Sequence, residues 1–391
     1  MLPRMGYDAL IVGGGPAGLF TAFRLAEAGF SVVVCEEHEE IGTPVHCTGV
    51  LSAVAFDEFD LPRHTILNPL TTVRFVSPAG LQVRYSPPTL QAVVIDRAAF
   101  DRGLAAKATA AGAEIRLNAR IQSLEVTTTG VQAAFNGSSG APISARLVVL
   151  AGGASYLLQR RLGLGLPRAY LHTAQRELPA ESAGDVELHF GRAVAPNGFA
   201  WAVPVHRPDG LHVRVGVMAT HAANGWYEAM LDRLTPRWGI TADGAPPRLK
   251  FLPLRSIQRT YADRTLVVGD AAGLVKPTTG GGIYYSVLSA DIASGVAVRA
   301  LNANRLAAAD LKPYESQWRR RLSGEFHAQW ALRHLAQRMS DRQIEALFDL
   351  ALTDGVMPIV ERTATFNHHR PLIHALLRHA PARRILWPAR S

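Results

Sequence analysis

Residues 7–36 read YDALIVGGGPAGLFTAFRLAEAGFSVVVCE. The apolar run Ala9-Leu10-Ile11-Val12 has the character of a strand buried on both faces of a parallel sheet. Gly13, Gly15 and Gly18 follow in G-x-G-x-x-G spacing, with Pro16 and Ala17 between them. Leu19, Phe20, Phe23 and Ala26 then mark one face of a helix, and Gly29 ends it. Ser31 to Cys35 is a second buried strand, closed by Glu36. Strand, glycines, helix, strand and acid in this order predict a dinucleotide-binding unit. Gly13 permits the tight turn, Gly15 lets backbone approach a pyrophosphate, and Gly18 allows helix and strand to pack closely. The free N–H groups at the helix start attract phosphates, and Glu36 can accept hydrogen bonds from a ribose diol. Gly13, Gly15, Ala17, Gly18 and Glu36 are therefore candidate cofactor contacts. The unit by itself does not separate FAD from NAD(P).

The rest of the chain sets bounds on what this unit serves. Its 391 residues exceed one ordinary core, so two or three structural units are expected. Two cysteines, Cys35 and Cys47, exclude a disulfide scaffold and a multi-cysteine metal or iron–sulfur site. No histidine pair falls at metal-ligand spacing on a helix, so no metal site is expected. The net charge of +9 is nearly all arginine; the lysines are Lys107, Lys250, Lys276 and Lys312. Such diffuse charge suits solubility or an anionic surface rather than nucleic acid. No apolar run approaches the roughly 20 residues that cross a bilayer, and the N-terminus lacks a signal-peptide pattern. A cytoplasmic protein is expected, with peripheral membrane contact open. That contact would use the C-terminal stripe Leu372, Ile373, Leu376 and Leu377 beside Arg370 and Arg378. The alternative for the stripe is docking on its own protein. Arg319-Arg320-Arg321 and Arg383-Arg384 fit a solvated helix face, or an anionic partner.

A second signature lies far downstream. Thr265 to Val268 reads as a buried strand ending in Gly269-Asp270, and residues 276–283 read KPTTGGGI before another helix. An acid at that strand end can bind a ribityl hydroxyl. The triple glycine lets backbone pass a flat ring, and the helix start favours negative charge on a reduced flavin.

With these pieces the chain resembles the FAD-dependent p-hydroxybenzoate hydroxylase superfamily. Residues 269–285, GDAAGLVKPTTGGGIYY, are similar to the geranylgeranyl reductase family within it. Residues 41–52, IGTPVHCTGVLS, resemble that family's G-x-P-x-x-C segment. Residues 196–204, PNGFAWAVP, resemble its P-x-x-Y-x-W-x-F-P motif, with Phe199 for Tyr and Val203 for Phe. Residues 95–101, IDRAAFD, resemble the superfamily's arginine segment. Lys276 stands where the family has an acidic residue or Asn, which changes the charge expected near the flavin.

The resemblance implies an α/β fold (α+β overall). A Rossmann-like FAD-binding domain would be discontinuous over 1–70, 90–160 and 260–305. An antiparallel-sheet substrate domain would span 71–89 and 165–258, and a helical C-terminal region 306–391. FAD is the implied cofactor, held also by Cys47, Arg97, Ile121, Asp270, Gly281, Gly282 and Ile283. The implied reaction saturates carbon–carbon double bonds of an isoprenoid by hydride transfer from reduced FAD. Cys47 is the candidate catalytic thiol; its other reading is a small buried hydrophobe. Phe199 and Trp201 would line the pocket of a prenylated small molecule or lipid, or else form ordinary sheet core. One of Tyr284 and Tyr285 would face the flavin. Electrons would come from NAD(P)H or from reduced ferredoxin. Gly152, where superfamily hydroxylases carry an acid, weighs against direct NAD(P)H use. An aromatic monooxygenase, a halogenase subtype and a non-catalytic flavoprotein are the rival readings. A halogenase requires a lysine in the N-terminal part, and the first here is Lys107.

Overall fold

A computed structural model describes residues 6–135, 141–353 and 355–387; the last residues of the expected helical C-terminal region lie outside them. Among the described residues there are three β-sheets, with helices packed on them. The first sheet carries the parallel order Thr265–Val267, Ile143–Leu150, Tyr7–Val12, Val32–Cys35, Glu114–Arg116. The hairpin Ile121–Val126/Val131–Phe135 continues from Ile143–Leu150, and Tyr261–Ala262 edges the far side. Ala9, Leu10 and Ile11 are fully buried, as are Val33, Val34 and Leu147 to Val149. Both faces of this sheet are covered, which is why its strands are uniformly apolar. Helices Pro16–Glu27, Arg97–Ala110 and Ile283–Asn302 pack together against it. Asp96 caps the second of these by accepting from the Ala99 N–H at 2.9 Å.

The second sheet has seven strands, in the order Arg248–Pro253, Tyr170–Pro179, Gly210–Ala219, Phe199–Arg207, Val186–His189, Val73–Val76, Gln82–Tyr85. All its pairings are antiparallel except Val186–His189 with Val73–Val76, which run parallel. Period-two alternation splits the long strands by face. Ala200, Ala202, Val213, Val215 and Val217 pack under helix Ala223–Trp238. Trp201, Val203 and Met218 face the other way, with Phe199 packed beside them. A small sheet of Val50–Ser52, Ala92–Ile95 and Ile66–Leu70 joins the two large ones.

Helix Ala308–Ala336 runs from the first sheet to the second, and the shorter helices Asp341–Leu352, Met357–Thr363, Arg370–Arg378 and Ala380–Leu386 follow it. No helix among the described residues is long and apolar enough to cross a membrane.

Candidate functional site

The glycines of the first turn divide their work by geometry. Gly13 has φ +106°, and a Cβ there would lie 2.6 Å from the Ala151 carbonyl oxygen. A Cβ on Gly18 would lie 2.0 Å from the Gly13 oxygen, so the helix start is pressed onto the turn. Gly15 differs, with no atom within 4 Å of its Cβ position. That open space sits at the start of helix Pro16–Glu27, where N–H groups are free for an anion. Glu36 stands alongside. It accepts from the Gly14 N–H at 2.6 Å and faces His38 Nδ1 at 2.5 Å. Ala17 and Ile121 line the same end of the cavity. Together the residues fit a dinucleotide.

The second glycine run forms the next wall. Asp270 lies on the short turn Gly269–Ala272, with a carboxylate oxygen 3.8 Å from Lys250 Nζ. A Cβ on Gly282 would lie 2.8 Å from Asp270 Oδ1, which keeps this position small. Gly281, Gly282 and Ile283 line the cavity and lead into helix Ile283–Asn302.

Cys47 lies on the facing loop. Its sulfur accepts from the Gly49 N–H at 3.3 Å. The Arg97 guanidinium lies near enough to Cys47 to feel its charge, and it grips both Asp101 carboxylate oxygens at 2.9 and 2.8 Å. Burial works against the charge on Arg97, but Asp101 and Cys47 outweigh it, so its pKa rises above the ordinary arginine value. His46 turns its Nε2 to Thr173 Oγ1 at 3.0 Å, and Thr48 donates to Gln175 Oε1 at 2.7 Å. Burial, then the Lys250 and Arg248 charges, push the His46 pKa down to about 4, so the ring is neutral at neutral pH.

All of these groups open on one cavity of about 1160 Å³. It runs from the Gly15 cradle, past Asp270 and Cys47, into an apolar chamber. Leu188, Phe199, Trp201 and Val203 of the second sheet form one side. Leu347, Phe348, Leu372 and Leu376 of the C-terminal helices form the other. Leu372, Ile373 and Leu376 of the C-terminal stripe thus line the protein's own interior. Arg319 and Arg321 instead form surface pairs with Glu315 and Glu58.

Two expectations change. Lys276 places no charge in the cavity. It is 2% exposed, and its ammonium donates to the Phe366 oxygen at 2.6 Å and to Asn367 Oδ1 at 3.2 Å. Neither Tyr284 nor Tyr285 faces the cavity; their hydroxyls bond to Glu58 Oε2 and the Asn367 oxygen, because both rings point into the helix packing. The first expectation came from the family pattern at that position and the second from chain neighbourhood, and neither fixes which way a side chain points.

Several lining residues escaped sequence reading. Thr173, Gln175 and Lys250 meet the 46–48 loop only through strand pairing. Arg333 sits inside an arginine-rich helix that resembled surface, and Gly216, beneath the lining residue Trp201, was likewise missed. Four scattered lysines were the one signal that could have raised Lys250.

Comparison with known proteins agrees with this geometry. An FAD dependent oxidoreductase family model matches residues 8–65, and a tryptophan halogenase model matches residues 67–341. The chain is 30% identical over 366 residues to digeranylgeranylglycerophospholipid reductase 2 of Methanothermobacter thermautotrophicus, covering 88% of this chain and 91% of that protein. It is also 30% identical to digeranylgeranylglycerophospholipid reductase of Methanocaldococcus jannaschii, covering 87% and 89%. Among solved structures, a geranylgeranyl bacteriochlorophyll reductase-like protein from Thermoplasma acidophilum superposes with a TM-score of 0.82 at 23% identity, covering 96% and 97% of the two chains. The halogenase PltM superposes with a TM-score of 0.68 at 18% identity, covering 97% and 85%.

Proposed function

The chain belongs to the digeranylgeranylglycerophospholipid reductases, within the flavoproteins that the tryptophan halogenase model describes, and we propose that it works as their names imply. It is an FAD-dependent reductase that saturates carbon–carbon double bonds of an isoprenoid group. One observation carries the reading: the dinucleotide cradle and a long apolar chamber are a single cavity.

Bound FAD supplies hydride from its reduced ring system. The chain's residues hold it and prepare the rest. The helix start beyond Gly15 would take the pyrophosphate, Glu36 a ribose, and Asp270 the ribityl chain. Gly281 and Gly282 let backbone lie against the ring. An isolated trisubstituted alkene has no electron-withdrawing group, so placement and a nearby acid must supply the catalysis. Cys47 is the proton donor in this reading. Asp101 holds the Arg97 guanidinium on the same side of the site as that thiol. Neutral His46 adds no competing charge at the alkene. Phe199, Trp201 and the C-terminal leucines exclude water from the prenyl chain.

The halogenase reading has less support. Lys107, the first lysine, lies on helix Arg97–Ala110 with its ammonium 2.5 Å from an Asp60 carboxylate oxygen and 4.8 Å from the Phe23 ring centre. It does not reach the cavity.

The test is anaerobic. Dithionite-reduced holoprotein mixed with a geranylgeranyl substrate should reoxidise its flavin and add two hydrogens per double bond, read by mass spectrometry. Flavin that reoxidises only with oxygen, leaving the prenyl chain unchanged, would overturn the reading.

A further inference from the structure

One arginine inside the chamber wall has no counter-charge. Arg333, on helix Ala308–Ala336, is 6% exposed and lines the cavity. Its guanidinium donates to the Pro277 oxygen at 3.2 Å and the Asn197 oxygen at 2.7 Å. Its Nε has no hydrogen-bond partner among the described residues, and it forms no ion pair among them. Burial alone pulls its pKa down to about 10. An arginine that deep is costly unless an anion meets it. Arg192 also lines the cavity, and its Nε donates at 3.0 Å to the oxygen of Met339, three residues beyond the end of that helix. The Asp341 carboxylate is nearby but accepts from the Arg192 backbone N–H, leaving that guanidinium's other N–H groups free of it.

We propose that Arg333 and Arg192 form an anion subsite that seats the phosphate-bearing end of the prenyl substrate while its chain fills the apolar chamber. The proposal rests on the reductase reading and adds the residues that would recognise the head group. Guanidinium forks match phosphate oxygens in pairs, and the carbonyls of Asn197 and Pro277 hold this fork in one orientation. A prenyl diphosphate and a diprenylated glycerophosphate both carry the required chemistry.

The test is a titration of oxidised holoenzyme, followed by the flavin visible difference spectrum. The ligands are geranylgeranyl diphosphate, digeranylgeranylglyceryl phosphate and uncharged geranylgeraniol. Wild type should bind at least one phosphorylated ligand about tenfold or more tightly than the alcohol. Which of the two it favours identifies the source of the phosphate. Arg333→Met and Arg192→Gln should each shrink that ratio by about threefold or more, and Arg333→Lys should keep part of it. Should Arg333→Met fail to fold, exposed Arg192 decides the matter alone. An alcohol bound as tightly as both phosphates by wild type would overturn the subsite, as would an unchanged ratio in Arg192→Gln. An Arg333→Met that shifts the flavin midpoint potential with the ratio intact would overturn it too, assigning that guanidinium to the cofactor. If the reduced enzyme hydrogenates all three ligands without discrimination, the subsite fails and the reductase reading stands. If it hydrogenates none, the reductase reading itself fails.

Discussion

Trp201 and Gly216 are cross-strand partners, and the indole lies over the bare Cα of the glycine: a Cβ at 216 would come within 2.3 Å of the ring. The glycine is thus the floor on which the chamber's largest side chain rests. Gly216→Ala should displace the indole into the cavity. We expect a loss of about 1–3 kcal/mol in stability from overpacking, a shifted tryptophan emission and a raised KM for prenyl substrate. Unchanged emission and KM would show that the indole's seat does not shape the chamber.

Gly15 and Gly18 should separate binding from folding. Gly15→Val adds a side chain only to open space, so the protein should fold but purify without flavin. Gly18→Ala drives a methyl into the Gly13 carbonyl and should lower the melting temperature of the cofactor-free protein as well. Absorbance near the flavin band and thermal melts of both variants check this.

Cys47→Ala should retain bound flavin and slow alkene reduction by about 10²–10⁴-fold, the usual worth of a positioned acid. Single-turnover mixing of the dithionite-reduced variant with substrate reads the step directly. A rate within threefold of wild type would remove Cys47 as the proton source.

Stability should climb with pH in two windows. His46 and His369 both have pKa values pushed down to about 4, chiefly by burial. The unfolded chain therefore binds more protons between about pH 4 and 6.5, and stability falls as pH drops through that range. Lys276, lowered by burial to about 7, adds a second rise between about pH 7 and 10. Each group contributes at most about 1.4 kcal/mol per pH unit. Denaturant midpoints across pH should show both rises, and Lys276→Met should flatten the upper one. A Lys276→Met curve parallel to wild type above pH 7 would discard this account.

Residues 7–36 were the most legible stretch because strand, glycine turn, helix and second strand follow one another locally, as where Gly18 is pressed onto the Gly13 carbonyl five residues away. Phe199 and Trp201 were legible for a similar reason: strand alternation alone puts them on one face. The chamber's far side was not. Leu372 and Ile373 read as a stripe that either docks on its own protein or lies on a membrane, and only tertiary packing shows which cavity they turn to. His46 and Thr48 meet partners 127 residues away, a distance at which local pattern carries no information. Lys276 shows the same limit in reverse, since its position beside Pro277 was plain while the direction of its ammonium was set by the Phe366 carbonyl and the Asn367 side chain.

Leu372→Trp should narrow the chamber without touching the cradle. Geranylgeranyl turnover should drop about tenfold or more while a shorter prenyl chain is spared, read as the ratio of kcat/KM values. Equal losses on both chain lengths would argue against Leu372 as a boundary of the prenyl path.

The chamber's two sides come from opposite ends of the chain's history. The cradle and the sheet wall are lined by residues before about 283, while the facing wall is lined by residues after about 332. The lipid's enclosure is thus a cover drawn from a different stretch of chain than the nucleotide's grip. Substitutions in that cover can retune which prenyl lengths are accepted without disturbing how the cofactor is gripped. One flavin scaffold can in this way be handed from lipid to lipid by remodelling a few terminal helices.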